Sequence, residues 1–198
     1  MDFTLAEFLK AVNRVFKKWP ETNTYLVRSV SSLTNQVLLR THILENNRNI
    51  DELQQATYSI LDKQSEARKC LESLFELYLD IQASLQSFLS LIDTSIEKDL
   101  ENISKSTVRA RTADIAGELL SMFAAELCLK QAILVGLSPR DCNKEDDKIG
   151  LTIDQESDKE YLLTCVSAIA AEVYVSKERV ESLLEALNLI GSKTKIFD

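Results

Sequence analysis

The sequence predicts an all-α fold: an elongated antiparallel helical bundle or coiled coil that ends in a small C-terminal helical hairpin. Three observations carry that prediction. Only 4 Gly and 2 Pro occur among 198 residues, far below ordinary usage, so turns are few and helices long. A heptad row runs without interruption through the middle of the chain. Apolar residues recur three and four apart in nearly every other segment.

The first helix begins at Thr4, where Thr4 and Glu7 fit a capping box. Phe8, Val12, Val15 and Trp19 follow at helical spacing, Lys17 and Lys18 suit the negative pole of the dipole, and Trp19-Pro20 ends the helix. A second helix starts near Thr22 or Thr24. Its stripe is Leu26, Val30, Leu33, Val37 and Leu44, interrupted by Arg40. The polar run Asn46 to Asp51 predicts a bend or short loop.

The heptad row is Leu53, Thr57, Ile60, Gln64, Ala67, Leu71, Leu74, Tyr78, Ile81, Leu85, Phe88 and Ile92, with intervals alternating four and three. Glu72, Glu76 and Asp80 make the segment amphipathic rather than membrane-buried. A helix over residues 50–105 would be roughly 80 Å long at 1.5 Å per residue. Such a seam must be covered by the second helix folded back, by another chain, or by both. Leu77, Leu79, Leu89 and Leu91 widen the face and favour three or more helices. The residues expected to meet a partner are Leu71, Leu74, Tyr78, Ile81, Leu85, Phe88 and Ile92.

Residues 102–112, with Lys105, Arg109 and Arg111, read as a solvated loop. A fourth helix spans Ala113 to Val135. It buries Ala116, Leu119, Leu120, Phe123, Leu127 and Leu134, takes Gly136 as a left-handed cap and is stopped by Pro139. These elements make 1–137 one helical bundle. Residues 138–157 form an acidic loop, and the Asp141–Glu160 stretch holds eight acidic and three basic residues without the spacing of a calcium loop. A helical hairpin covers 158–191. Its first helix is capped by Ser157 and Glu160 and its second by Ser176, with Val175 and Val180 as a hydrophobic staple and Gly191 at the close. Residues 192–198 form a loose tail.

Chemistry is sparse in this chain. His42 is the single histidine, and it lies on an exposed or half-exposed helical face. No histidine pair, nucleophile elbow or phosphate-cradling glycine loop exists. Cys70, Cys128, Cys142 and Cys165 are scattered and form no metal or redox motif. The expectation is a non-enzyme with no catalytic residues, no cofactor and no metal. The net charge of −8 disfavours phosphate backbones and anionic lipid, so neither nucleic acid nor membrane is expected as a partner. Met1 to Thr4 lacks the features of a secretory signal, and a soluble intracellular protein is expected. Ala168 to Gly191 also reads as a helix-turn-helix that would aim Ser176 to Arg179 at DNA, but Glu178, Glu181 and Glu185 oppose phosphate. Protein docking is the preferred reading, with DNA binding as an alternative.

The block Leu119 to Lys130 (LLSMFAAELCLK), followed by Tyr161-Leu162-Leu163, Tyr174-Val175 and Val180 to Leu184, resembles the cyclin-dependent kinase 2-interacting protein family in composition and order. The long heptad helix before these blocks is similar to that family's coiled-coil half. The resemblance implies a nuclear, non-enzymatic adaptor working in a hetero-oligomer with an AAA ATPase and a second small helical protein. It further implies roles in DNA replication, the cell cycle and ribosome biogenesis. The cytoplasm is the alternative location. Another reading is a coiled-coil structural subunit of a kinetochore, tethering or cytoskeletal assembly.

Overall fold

A computed structural model describes residues 5–46, 49–98, 103–137 and 155–194. The described residues form an all-α bundle of five helices: α1 (Leu5–Asn46), α2 (Ile50–Lys98), α3 (Ile103–Gly136), α4 (Gln155–Ala171) and α5 (Lys177–Thr194). They group into two compact units. The first holds Met1–Glu21, Leu74–Leu127 and Glu172–Asp198, and the second holds Thr22–Ser73 and Cys128–Ala171. Helix α4 falls within the second unit and α5 within the first.

The first unit packs α1, α2, α3 and α5 around Phe8, Val12, Val15, Trp19, Leu74, Ile81, Leu119, Phe123, Val180 and Leu187, all essentially inaccessible. Phe8 stacks on Phe88 with centroids 5.9 Å apart, and the Trp19 ring meets Phe123 edge-on at 4.6 Å. Arg14 pairs with Asp80 across α1 and α2. In the second unit, Leu26, Val30, Leu33, Ile60, Ala67, Leu134, Leu162 and Ile169 are buried. There the Ser29 hydroxyl lies 4.0 Å from Cys70 Sγ, and Arg40 Nε donates to Thr57 Oγ1 at 3.1 Å. Within each unit the α2 numbers fall as the α1 numbers rise, the mark of an antiparallel pair. The heptad seam is therefore met by the chain's own first helix folded back.

Several boundaries differ from expectation. Helix α1 does not end at Trp19-Pro20 but runs through Pro20. Proline inside a helix costs about 3 kcal/mol. Val15 and Trp19 on one side and Leu26 and Val30 on the other are all buried, and each such side chain contributes about 1.5–3 kcal/mol. Burial outweighs the ring. The break at Asn46 to Asp51 is present: Asn46 Nδ2 donates to the His42 carbonyl at 3.1 Å, and Asn49 Oδ1 accepts the Asp51 N–H at 3.1 Å. Asn49 is thus the N-cap of α2, with Asp51 and Glu52 in its positive first turn.

Residues 103–112 are helical rather than looped. Their Ser, Thr and Arg side chains cost at most about 0.7 kcal/mol each in a helix, and Thr112 is fully buried, so propagation from the packed part of α3 prevails. Gly136 is not a left-handed cap, since no described glycine has positive φ. Its lack of a side chain serves another purpose, because a Cβ there would lie 2.8 Å from the Tyr161 hydroxyl. Helix α4 begins at Gln155, two residues ahead of Ser157, and α5 passes Gly191 to reach Thr194. Thr4, Pro139, most of the acidic segment and residues 195–198 lie outside the described residues.

Candidate interaction surface

Two polar groups are set into the apolar face of α3, one in each unit. On α3, Leu119, Phe123, Glu126, Lys130 and Leu134 recur four and three apart, and all five are buried, Glu126 and Lys130 completely. A buried ionisable side chain at a core position demands hydrogen bonds, and each has a backbone partner. In the second unit, Lys130 Nζ donates to the Ile169 carbonyl at 3.0 Å, which also accepts Asn23 Nδ2 at 3.4 Å. Ile169 lies in the last turn of α4, where carbonyls lack helical donors and the dipole favours a cation. In the first unit, Glu126 Oε2 accepts the Tyr174 N–H at 2.8 Å.

The turn itself is specified residue by residue. Glu172 takes the left-handed conformation with φ 48°, filling the capping role usually given to glycine. The Val175 N–H closes onto the Glu172 carbonyl at 3.2 Å. Ser176 Oγ accepts the Arg179 N–H at 3.4 Å as the N-cap of α5, and donates to Glu178 Oε2 at 2.9 Å. The Glu178 carboxyl is held below its ordinary range, first by its own backbone N–H and then by the Ser176 hydroxyl. Val175 and Val180 are both buried, as a hydrophobic staple requires. Arg179 Nε donates to Glu118 Oε1 at 2.6 Å.

The product is a firmly held turn that points apolar groups at solvent. Val173 is 58% exposed and Tyr174 is 48% exposed. Turn tips are ordinarily polar, so this pair stands out. Sequence reasoning found the staple and the Ser176 cap but not the exposed pair, nor the buried Glu126 and Lys130. The available signal was two charged residues at positions of an apolar stripe.

The residues expected to meet a partner differ in how far they are buried. Leu74 and Ile81 are fully buried, Leu85 and Phe88 nearly so, and Leu71 and Tyr78 are half-buried. The side chain of Ile92 lies outside the described residues. Of the four residues that would face DNA, Ser176, Glu178 and Arg179 are engaged with the protein's own groups, and Lys177 lies 3.9 Å from Glu181. His42 is exposed, its Nδ1 2.9 Å from Asn46 Nδ2. Among the described residues, no three His, Cys, Asp or Glu side chains gather as metal ligands. Ala110–Gly136 is long and apolar enough to cross a bilayer by length and composition, with mean hydropathy 1.6, yet it carries the buried Glu126 and Lys130 of the bundle.

The described residues form an all-α bundle, and within the first unit the buried Glu126 carboxyl serves the turn at Tyr174. No family model matches the chain, and no curated protein or solved structure matches it.

Proposed function

We propose that the chain is a non-enzymatic helical adaptor, a subunit of a nuclear complex that contains an AAA ATPase and a second small helical protein. One observation supports an adaptor above all: Val173 and Tyr174 stand exposed on a turn whose backbone is already fixed by Glu126 and Ser176. An aromatic anchor on a preorganised backbone suits protein recognition, because little ordering entropy is lost on binding. The choice of complex rests on the resemblance of the C-terminal blocks, of which Tyr174-Val175 is one. The roles that follow are in DNA replication and ribosome biogenesis.

Affinity purification from nuclear extract, read by mass spectrometry, tests this reading. The native chain is expected to bring down an AAA ATPase with a small helical protein. The Val173→Ser/Tyr174→Ala variant is expected to recover at least about tenfold less of both, the loss of one or two anchors at 1.4 kcal/mol per decade. A set of kinetochore or tethering subunits would instead establish the structural coiled-coil reading. Undiminished recovery by the variant would remove the turn as the docking surface.

A further inference from the structure

Within the second unit, α2 carries a second heptad row on its outer face. Asp51, Gln54, Tyr58, Leu61, Ser65 and Arg68 are spaced three, four, three, four and three apart, and all six are exposed. Tyr58 is 63% exposed and Leu61 49%, and Ile50 beside them reaches 77%. Gln54 Nε2 donates to the Tyr58 hydroxyl at 3.3 Å along the same row. Such a 3-4 row is the pattern by which one helix meets another. The inner row of the same helix, from Ile60 through Gln64 to Ala67, is already buried.

The order of the six residues says what would fit. From Asp51 to Arg68 the row starts on a carboxylate, is apolar in the middle and ends on a guanidinium, with Glu72 the next exposed residue at the same spacing. When two identical helices pair antiparallel about a twofold axis, each a position meets a d position of the other copy, and every contact occurs twice. Centred between Ser59 and Ile60, this row sets Tyr58 against the partner's Leu61, Gln54 against the partner's Ser65 and Asp51 against the partner's Arg68. Each layer is matched: apolar on apolar, amide on hydroxyl, carboxylate on guanidinium. A parallel in-register pair would instead put Asp51 on Asp51 and Arg68 on Arg68, and like charges in contact are repulsive.

We infer that the outer face of α2 between Asp51 and Arg68 is a self-recognition surface that pairs two copies of this chain antiparallel. The occupant is a second copy because the row is complementary to its own reverse. A seam of about five helical turns is short, so the pairing is reversible and concentration-dependent.

Analytical ultracentrifugation of the full chain over about 1 to 100 µM, the range of a weak interface, tests this. The expected mass rises from 22.4 kDa toward twice that value. Tyr58→Glu/Leu61→Glu abolishes the rise while leaving the helical circular dichroism intact, since both side chains are exposed. Arg68→Asp weakens pairing at least about tenfold, and Asp51→Arg/Arg68→Asp restores it, because reversing both charges recreates both contacts. A native chain that stays at 22.4 kDa throughout overturns the proposal, as does a dimer that Tyr58→Glu/Leu61→Glu leaves unchanged. A dimer that Arg68→Asp weakens but the double exchange fails to restore overturns the antiparallel register.

Discussion

Leu74 and Phe75 are neighbours on α2 with opposite surroundings. Leu74 is completely buried in the first unit, while Phe75 is 49% exposed and stacks only loosely on Tyr78, with ring centroids 6.0 Å apart. The same contrast runs through the second unit, where Ile60 and Ala67 are buried and Tyr58 and Leu61 are not. The inner row of α2 is core that the chain completes for itself. The outer row is exposed, and at Tyr58, Leu61 and Phe75 it carries apolar side chains that the chain leaves largely uncovered. Heptad spacing therefore located a helix–helix seam without saying whether the second helix came from the same molecule. Residues that share one period and one hydropathy differ in which of them the chain's own α1 reaches.

The largest expected effect sharpens that contrast at adjacent positions. Leu74→Asp places a carboxylate where nothing can hydrate it, and is expected to cost about 4 kcal/mol or more, a large part of the usual stability of a domain. Phe75→Asp on the neighbouring position is expected to change stability by no more than about 0.5 kcal/mol. Urea denaturation of the two variants measures the difference. Equal midpoints would break the division into inner and outer rows.

A smaller effect is expected at the turn. Glu126→Leu removes the acceptor of the Tyr174 N–H, and an orphaned donor of this kind costs about 1–3 kcal/mol. Glu126→Gln keeps the shape and one acceptor oxygen, so its cost stays below that of Glu126→Leu. Hydrogen exchange at the Tyr174 amide separates the two: it accelerates in the leucine variant and stays close to native in the glutamine variant. Similar acceleration in both would mean that charge, rather than the acceptor, holds the turn.

Helices were legible because their signal is local and repeated. The rows of α1, α2 and α3, the break near Asn46 and the cap at Ser176 all follow from spacing and side-chain chemistry within a few residues. Errors arose where distant contacts decide. Proline 20 reads as a stop until the burial of Trp19 and Leu26 is known, and residues 103–112 read as a loop until Thr112 is seen in the core. Gly136 invites a cap, although its missing side chain makes room for the Tyr161 hydroxyl across the second unit. The candidate surface was less legible still. Exposure of Val173 and Tyr174 depends on what packs against them, and no spacing rule encodes a neighbour's absence. The burial of Glu126 and Lys130 had no local signal either, because ionisable residues are seldom buried unless paired and their backbone partners are distant in sequence.

The finest effect concerns how the turn's second helix is begun. Ser176→Ala removes the N-cap oxygen and is expected to cost about 1 kcal/mol. It also touches Glu178, whose carboxyl titrates below its ordinary value of 4.5. A carboxyl with a depressed folded-state pKa adds stability above its unfolded value and loses it as pH falls through the folded one. Glu178 therefore helps α5 fully above about 4.5, and that help fades as pH falls from there through its lower folded-state value. Its full exposure keeps that contribution small. NMR titration of the Glu178 carboxyl gives the sharper readout. In Ser176→Ala the midpoint is expected to rise only part of the way to the ordinary value, because Glu178's own backbone N–H, the larger cause, remains in place. A complete return to the ordinary value would assign the whole depression to the Ser176 hydroxyl and leave the helix terminus with no share in it.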